Sequence, residues 1–255
     1  MKKKIFNIFL FILSFSVISI AQENKFSSNT FINNNGDTLK YRFLFPDYSK
    51  DIKYPLVIFL HGSGERGSDN TAQLKWGVMN FATDQNMTLH PSFVIAPQCP
   101  LNDSWGGRDY DQKTFQFRYR ENPTKSMQLL KQLIDEIINK FPVDINRIYI
   151  TGLSMGGIGT FDAIIRYPDF FAAALPVCGG GDIEKIKSAF KLPIWIIHGA
   201  KDASLDPRLS LNMYISLADA GGNPGLSIYP EVGHFVWLHA YSDPLILQWL
   251  FSQHK

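Results

Sequence analysis

Apolar and polar positions follow two rhythms along this chain. Between residues 30 and 45 the rhythm has period two, with Leu39, Tyr41, Phe43 and Phe45 apolar and their neighbours mostly polar. The run Asn33-Asn34-Asn35-Gly36-Asp37 ahead of them is turn chemistry, so the segment predicts a β-hairpin. Further on, short continuous apolar runs bounded by Gly and Pro recur at residues 56–60, 93–96, 148–150, 172–177 and 194–197. Runs of that kind read as parallel strands covered on both faces. Between them the spacing changes to three and four: Met127, Leu130, Leu133, Ile134, Ile137, Ile138 and Phe141 make one helical stripe. Residues 156–167 predict a second helix ended by Pro168, and Asp243-Pro244 opens a last one through Phe251. Alternating strands and helices predict an α/β fold, a mostly parallel central sheet with helices on both faces and an N-terminal hairpin. No repeat, low-complexity segment or linker divides residues 22–255, which are expected to form one domain.

The N-terminus has a different character. Lys2, Lys3 and Lys4 precede an apolar stretch at residues 5–20, and Ser19 with Ala21 forms a small-x-small site. That is the layout of a signal peptide, with cleavage expected before Gln22. An uncleaved anchor is the alternative, but the stretch is shorter than the roughly 20 residues of a spanning helix. The expectation is a secreted or periplasmic protein with no stable membrane anchor after cleavage. Composition agrees with a folded domain: of 255 residues 45% are hydrophobic and 19% charged. The formal charge of +2 rests on the three leader lysines, and without them it is −1. Nothing there resembles a basic stripe, so nucleic acid is excluded as a partner. Cys99 and Cys178 permit one disulfide, whose formation depends on a distance that spacing does not give.

Candidate chemistry centres on Gly152-Leu153-Ser154-Met155-Gly156, which fits G-x-S-x-G between a predicted strand and a predicted helix. A sharp strand-to-helix turn needs small neighbours so that the serine Oγ projects alone, and Ser154 is therefore the candidate nucleophile. A serine needs a base. Of six histidines, His234 lies in a Gly-containing loop late in the chain, after Ser154, with His239 as its rival. The acid that orients it is expected just after the preceding strand, at Asp202, with Asp206 and Asp182 as rivals. Gly62 to Gly67 satisfies a dinucleotide G-x-G-x-x-G pattern, but no apolar helix follows it. With an elbow downstream, the same turn is better suited to an oxyanion hole made by the backbone N–H groups of Ser63 and Met155, Gly64 being the second choice for the former.

Residues 102–122 are rich in aromatic side chains, among them Trp105, Tyr110, Phe115, Phe117 and Tyr119. The segment reads either as an aromatic flap over the substrate or as a hairpin packed on the edge of the scaffold. Trp105 and Trp237 are the candidates for substrate binding. Trp76 is similarly placed, and for both Trp76 and Trp237 core packing is the competing and safer role.

Taken together, the segment from Tyr54 to Gly67, Ala96-Pro97-Gln98-Cys99-Pro100, Gly152 to Gly157, His198 to Asp202 and Gly233-His234 through Trp237 resemble one family. They look like the α/β-hydrolase esterases described as predicted peptidases, phospholipase/carboxylesterase-like or polyhydroxybutyrate-depolymerase-like proteins. The resemblance runs over nearly all of residues 22–255 and implies an α/β-hydrolase fold. It also implies Ser154 as nucleophile, Asp202 as acid and His234 as base, the same three residues chosen from their spacing. Where relatives often carry a hydrophobic pair before Pro, this chain has Ala203-Ser204-Leu205, which keeps Asp206 open as the acid. The expected activity is hydrolysis of carboxylic esters, on small molecules or on acyl groups carried by carbohydrate, with neither metal nor organic cofactor. The competing expectations are a serine peptidase of the same fold and a non-catalytic binding module on a hydrolase scaffold.

Overall fold

Strand β3 (Tyr54–Leu60) shows why a central sheet forms: all seven of its residues are buried. Leu56, Ile58 and Leu60 face one hydrophobic cluster, while Val57 and Phe59 face another on the opposite side. Each such side chain contributes about 1.5–3 kcal/mol when withdrawn from water. A strand of this composition is stable only between two covering layers. The computed structural model describes residues 23–107 and 109–255; the predicted leader, residues 1–21, lies outside them.

The sheet has eight strands in the order β1-β2-β4-β3-β7-β8-β9-β10. Their ranges are β1 (Phe26–Ile32), β2 (Thr38–Leu44), β4 (Phe93–Pro97), β7 (Val143–Leu153), β8 (Ala173–Val177), β9 (Trp195–Gly199) and β10 (Gly225–Tyr229). The first two form the expected hairpin, antiparallel to each other, and β2 is also antiparallel to β4. Its turn is stabilised by the Asn33 side chain, which accepts from the N–H groups of Asn35 and Asp37. From β4 to β10 every pairing is parallel. A small second sheet, β5 (Tyr110–Asp111) with β6 (Gln116–Phe117), lies inside the aromatic segment.

The helices are α1 (Asp84–Leu89), α2 (Lys125–Lys140), α3 (Met155–Arg166), α4 (Arg208–Asp219), α5 (Trp237–Ala240) and α6 (Pro244–Ser252). α2 starts at Thr124, whose side chain accepts from the Met127 N–H, and its buried stripe joins α3 and α4 on one face of the sheet. α6 starts at Asp243 with Pro244 in its first turn and covers the other face through Ile246, Leu247 and Leu250. The sequence patterns miss α4 and β10, as well as the short helices α1 and α5; no residue of β10 is fully buried. β10 is an edge strand only partly covered, Leu226 packing against one cluster and Tyr229 against the other, and partial cover leaves a weak apolar signature.

Cys99 and Cys178 belong to the clusters on opposite faces of the sheet, and no disulfide joins them. Among the described residues no helix is long and apolar enough to cross a membrane.

Candidate active site

Ser154 stands between the end of β7 and the start of α3, with φ 55° and ψ −117°. That left-handed backbone is costly for a residue with a side chain, and its neighbours hold it in place. Its N–H donates to Val177 O at 3.0 Å, and its carbonyl accepts from Ile158 N at 3.0 Å. The turn is tight enough that a Cβ at Gly156 would lie 1.9 Å from Leu60 O, and one at Gly152 would lie 2.5 Å from Gly156 O. Glycine at these two positions is therefore a steric requirement.

The loop after β10 brings His234 to the same end of the sheet. Its Nε2 is 3.0 Å from Ser154 Oγ and its Nδ1 is 2.7 Å from Asp202 Oδ2. A carboxylate can only accept, so Nδ1 carries the proton and Nε2 accepts from the serine hydroxyl. The rival acids and base are engaged elsewhere. Asp206 pairs with Arg208, Asp182 accepts from Tyr119 N, and His239 stacks on Tyr229.

Asp202 is the most heavily supported group in the site. Oδ1 accepts from the N–H groups of Ser204 and Leu205 at 2.8 and 2.9 Å. Oδ2 takes His234 and, at 3.2 Å, the Nε2 of His198. Burial alone would raise this carboxyl, but the hydrogen bonds from His198, His234, Leu205 and Ser204 outweigh it and hold it well below the usual carboxylate range. His198 itself is fully buried, its Nδ1 2.7 Å from Ser210 Oγ. Sequence placed His198 only at a strand end; its spacing of four from Asp202 was the signal available.

Beneath the triad, the Cys178 sulfur completes a group with Asp202 and His234 whose candidate ligand atoms lie within 4.8 Å of one another. These residues suit a metal poorly: burial pushes the Cys178 thiol up, away from thiolate, while Asp202 and His234 already bond each other.

Two clefts meet at Ser63 and Ser154. One, of about 330 Å³, is bordered by Arg66, Gly106, Phe117, Met155 and Ile158. The other, of about 250 Å³, is bordered by Glu65, Trp76, His234, Phe235 and Trp237. A larger cavity of about 690 Å³ opens beside Trp195 and Gly225, the first residues of β9 and β10. It lies at the wrong end of the parallel strands, since sites in such sheets form beyond their carboxyl ends.

The backbone groups expected to bind an oxyanion border the clefts. Met155 is the first residue of α3, so its N–H has no acceptor within the helix. Ser63 opens a short 3-10 turn, Ser63–Glu65, and the Arg66 guanidinium donates to the Ser63 carbonyl at 3.0 Å. The same guanidinium reaches Leu101 O at 3.0 Å and Asp103 O at 3.3 Å and so ties this turn to the start of the aromatic segment.

That segment is pinned. Phe117 N donates to Gly181 O, Tyr119 N to Asp182, and Asn212 to Thr114 O. Arg166, itself in a buried pair with Asp162, donates to the Tyr119 hydroxyl and to Glu121 O. Of the expected aromatic wall, Phe117 borders the cleft. Trp105 does not: it is fully buried, packed against the His61 ring behind the cleft, where Gly159 leaves room for it. Trp237 is nearly buried too, yet its ring stands edge-on to His234 at 5.0 Å and borders the second cleft. Arg66 and Phe235 were not singled out by sequence as cleft residues, because each reaches Ser154 only through the fold.

Comparison with known proteins agrees with this geometry. Residues 48–243 match the phospholipase/carboxylesterase family. A solved thermostable esterase superposes with a TM-score of 0.84 at 37% identity, over 92% of this chain and 64% of that one. A bifunctional acetylxylan esterase/xylanase of Neocallimastix patriciarum is 32% identical over 83 residues, 32% of this chain and 12% of that protein. A poly(3-hydroxyalkanoate) depolymerase of Paucimonas lemoignei is 28% identical over 129 residues, 49% of this chain and 28% of its own. The chain thus spans less than two thirds of the length of each of these relatives. Its family match covers most of its length, and it belongs to the phospholipase/carboxylesterase family, with the α/β-hydrolase fold.

Proposed function

We propose that this chain is an exported serine esterase that hydrolyses carboxylic esters through an acyl-enzyme, with acylated carbohydrate among its substrates. The single observation that supports this most is the continuous hydrogen-bond path from Ser154 Oγ through His234 to Asp202, at 3.0 and 2.7 Å. Along it, Ser154 Oγ bonds to the ester carbonyl carbon while its proton passes to His234 Nε2. The carbonyl electron pair moves to oxygen, where the N–H groups of Ser63 and Met155 receive it, each donor contributing about 3 kcal/mol. Collapse breaks the bond to the alcohol oxygen, which takes the proton from His234. Water then gives a proton to His234 and adds to the acyl carbon; collapse returns that proton to Ser154 and frees the acid. Asp202, held ionised, stabilises the imidazolium at each stage.

Covalent labelling by a fluorophosphonate probe, abolished in Ser154→Ala, is the expected result. An unlabelled wild-type protein would return the chain to the binding-module reading. Hydrolysis of p-nitrophenyl esters but not of aminoacyl anilides is expected, and preference for the anilides would identify a peptidase. Export predicts a secreted product whose N-terminal residue is Gln22.

A further inference from the structure

The two clefts at Ser154 are chemically unlike, and the triad tells them apart. In ester cleavage His234 Nε2 must hand its proton to the departing alcohol oxygen. The alcohol therefore lies on the side of Ser154 that His234 borders, which is the cleft of about 250 Å³. The acyl group lies on the side of Met155, which borders only the cleft of about 330 Å³.

The alcohol-side cleft is walled by three aromatic rings. Trp76 meets Phe235 edge-on at 5.7 Å and Trp237 at 6.2 Å, and Phe235 lies 4.8 Å from Trp237. Phe235 is 54% exposed, so a large ring is held open to solvent beside the triad. The Glu65 carboxyl borders the same cleft as the Trp76 ring. Glu65 is buried, and that burial raises its carboxyl, with Lys75 and the Trp76 side chain pulling the other way. Lys75 places its ammonium 5.0 Å from the Trp76 ring centre.

Aromatic rings beside charged hydrogen-bonding groups are poorly matched to an alkyl alcohol, which offers nothing to Lys75 or Glu65. They match a pyranose. Its C–H faces carry slight positive potential and stack on the negative faces of indole and phenyl rings, while its hydroxyls reach the polar groups at the edge. We propose that Trp76 and Phe235 form a sugar-binding subsite for the leaving alcohol, so that the bond cleaved joins an acyl group to a pyranose hydroxyl. The subsite rests on the esterase reading given above and deepens it by assigning the residues that bind the sugar of the leaving alcohol.

The test is a ratio of two substrates, acetylated xylobiose and ethyl acetate, with Trp76→Ala, Trp76→Phe and Phe235→Ala. The ratio of kcat/KM for xylobiose ester over ethyl acetate is expected to fall roughly 10- to 100-fold in Trp76→Ala and less in Phe235→Ala, as for loss of a central aromatic anchor. Trp76→Phe, which keeps a ring, should recover much of it. A ratio unchanged in both alanine variants overturns the subsite while leaving the esterase reading intact, because both substrates are still turned over. A wild-type protein that hydrolyses neither substrate overturns the esterase reading instead. A methyl-capped 3-hydroxybutyrate dimer supplies the remaining arm. If its kcat/KM falls as far as that of the sugar ester in Trp76→Ala, the cleft takes apolar alcohols and the pyranose assignment fails.

Discussion

Strands β3 and β9 each run into a His-Gly pair at the same end of the sheet, His61-Gly62 and His198-Gly199, and both imidazoles are almost wholly buried. Their partners differ. The Nδ1 of His61 lies 2.6 Å from Gly62 O and its Nε2 2.9 Å from the Cys99 N–H. One nitrogen must donate and the other must accept, so His61 is locked as the neutral ring. Burial, the largest influence, lowers its pKa to about 4, which agrees with that bonding. It ties the turn carrying Ser63 to the segment after β4. His198 instead points Nε2 at two acceptors, Leu205 O and Asp202 Oδ2, so that nitrogen must carry a proton. It braces the acid of the triad. One ring shapes the ground on which the oxyanion donors stand, and the other supports the ionised acid that orients His234. The lesson is that the strand end supplies only a position; the neighbours across the sheet decide the chemistry.

The contrast can be broken first at the third histidine. If catalysis belongs to the loop ring and not to the strand-end rings, His234→Ala and Ser154→Ala each lower kcat roughly 10⁴- to 10⁶-fold. Single-turnover assays measure this, and a comparable loss in His61→Gln would reverse the assignment. Asp202→Asn keeps the geometry but reverses the tautomer demanded of His234, and a fall of about 10⁴-fold in kcat is expected. Near-wild-type activity in that variant would pass the acid role to another group.

The strand-end rings give smaller, separable effects. Below pH 6.5 the unfolded chain takes up a proton that folded His61 refuses until about pH 4. A lowered histidine pKa therefore costs stability as the pH falls through that window, by about 3 kcal/mol in all. Urea melts at pH 7 and pH 4.5 should show most of this loss in the wild type and little of it in His61→Gln. A wild-type curve that is flat over that range contradicts the locked neutral ring. Asp202 does not contribute there, since a depressed carboxyl loses its stabilising effect only below the ordinary range near pH 4. The smallest effect belongs to His198→Gln: kcat about tenfold lower with KM little changed, from the loss of one hydrogen bond to a charged acceptor. An altered KM with kcat intact would place His198 in substrate binding.

Much of this molecule is legible along the chain. The hairpin, five of the buried strands and the stripe of α2 follow from periodicity, because burial on one or two faces leaves a repeating apolar mark. The Gly152-x-Ser154-x-Gly156 spacing is legible for a steric reason, since Leu60 O and Gly156 O exclude any Cβ there. β10 is not legible because none of its residues is fully buried, and α4 is not because its buried stripe includes Ser210 and Ser216 while Leu211 and Ile215 are exposed. Trp105 shows the opposite error. Its setting among other aromatics suggests a cleft wall, yet an indole that finds space beside Gly159 and His61 gains more by burial than by exposure.

By itself, the sequence determined the fold class and the order Ser154, Asp202, His234, because strand periodicity and the elbow's steric demand are properties of neighbouring residues. Tertiary structure alone decided which acid and which base meet, which of two like His-Gly turns braces Asp202, and which aromatics reach the cleft. Those depend on side chains brought together from across the sheet: Ser154 and His234 are 80 residues apart, and Asp202 and His234 32 apart. Contacts at such separations leave no periodic trace along the chain.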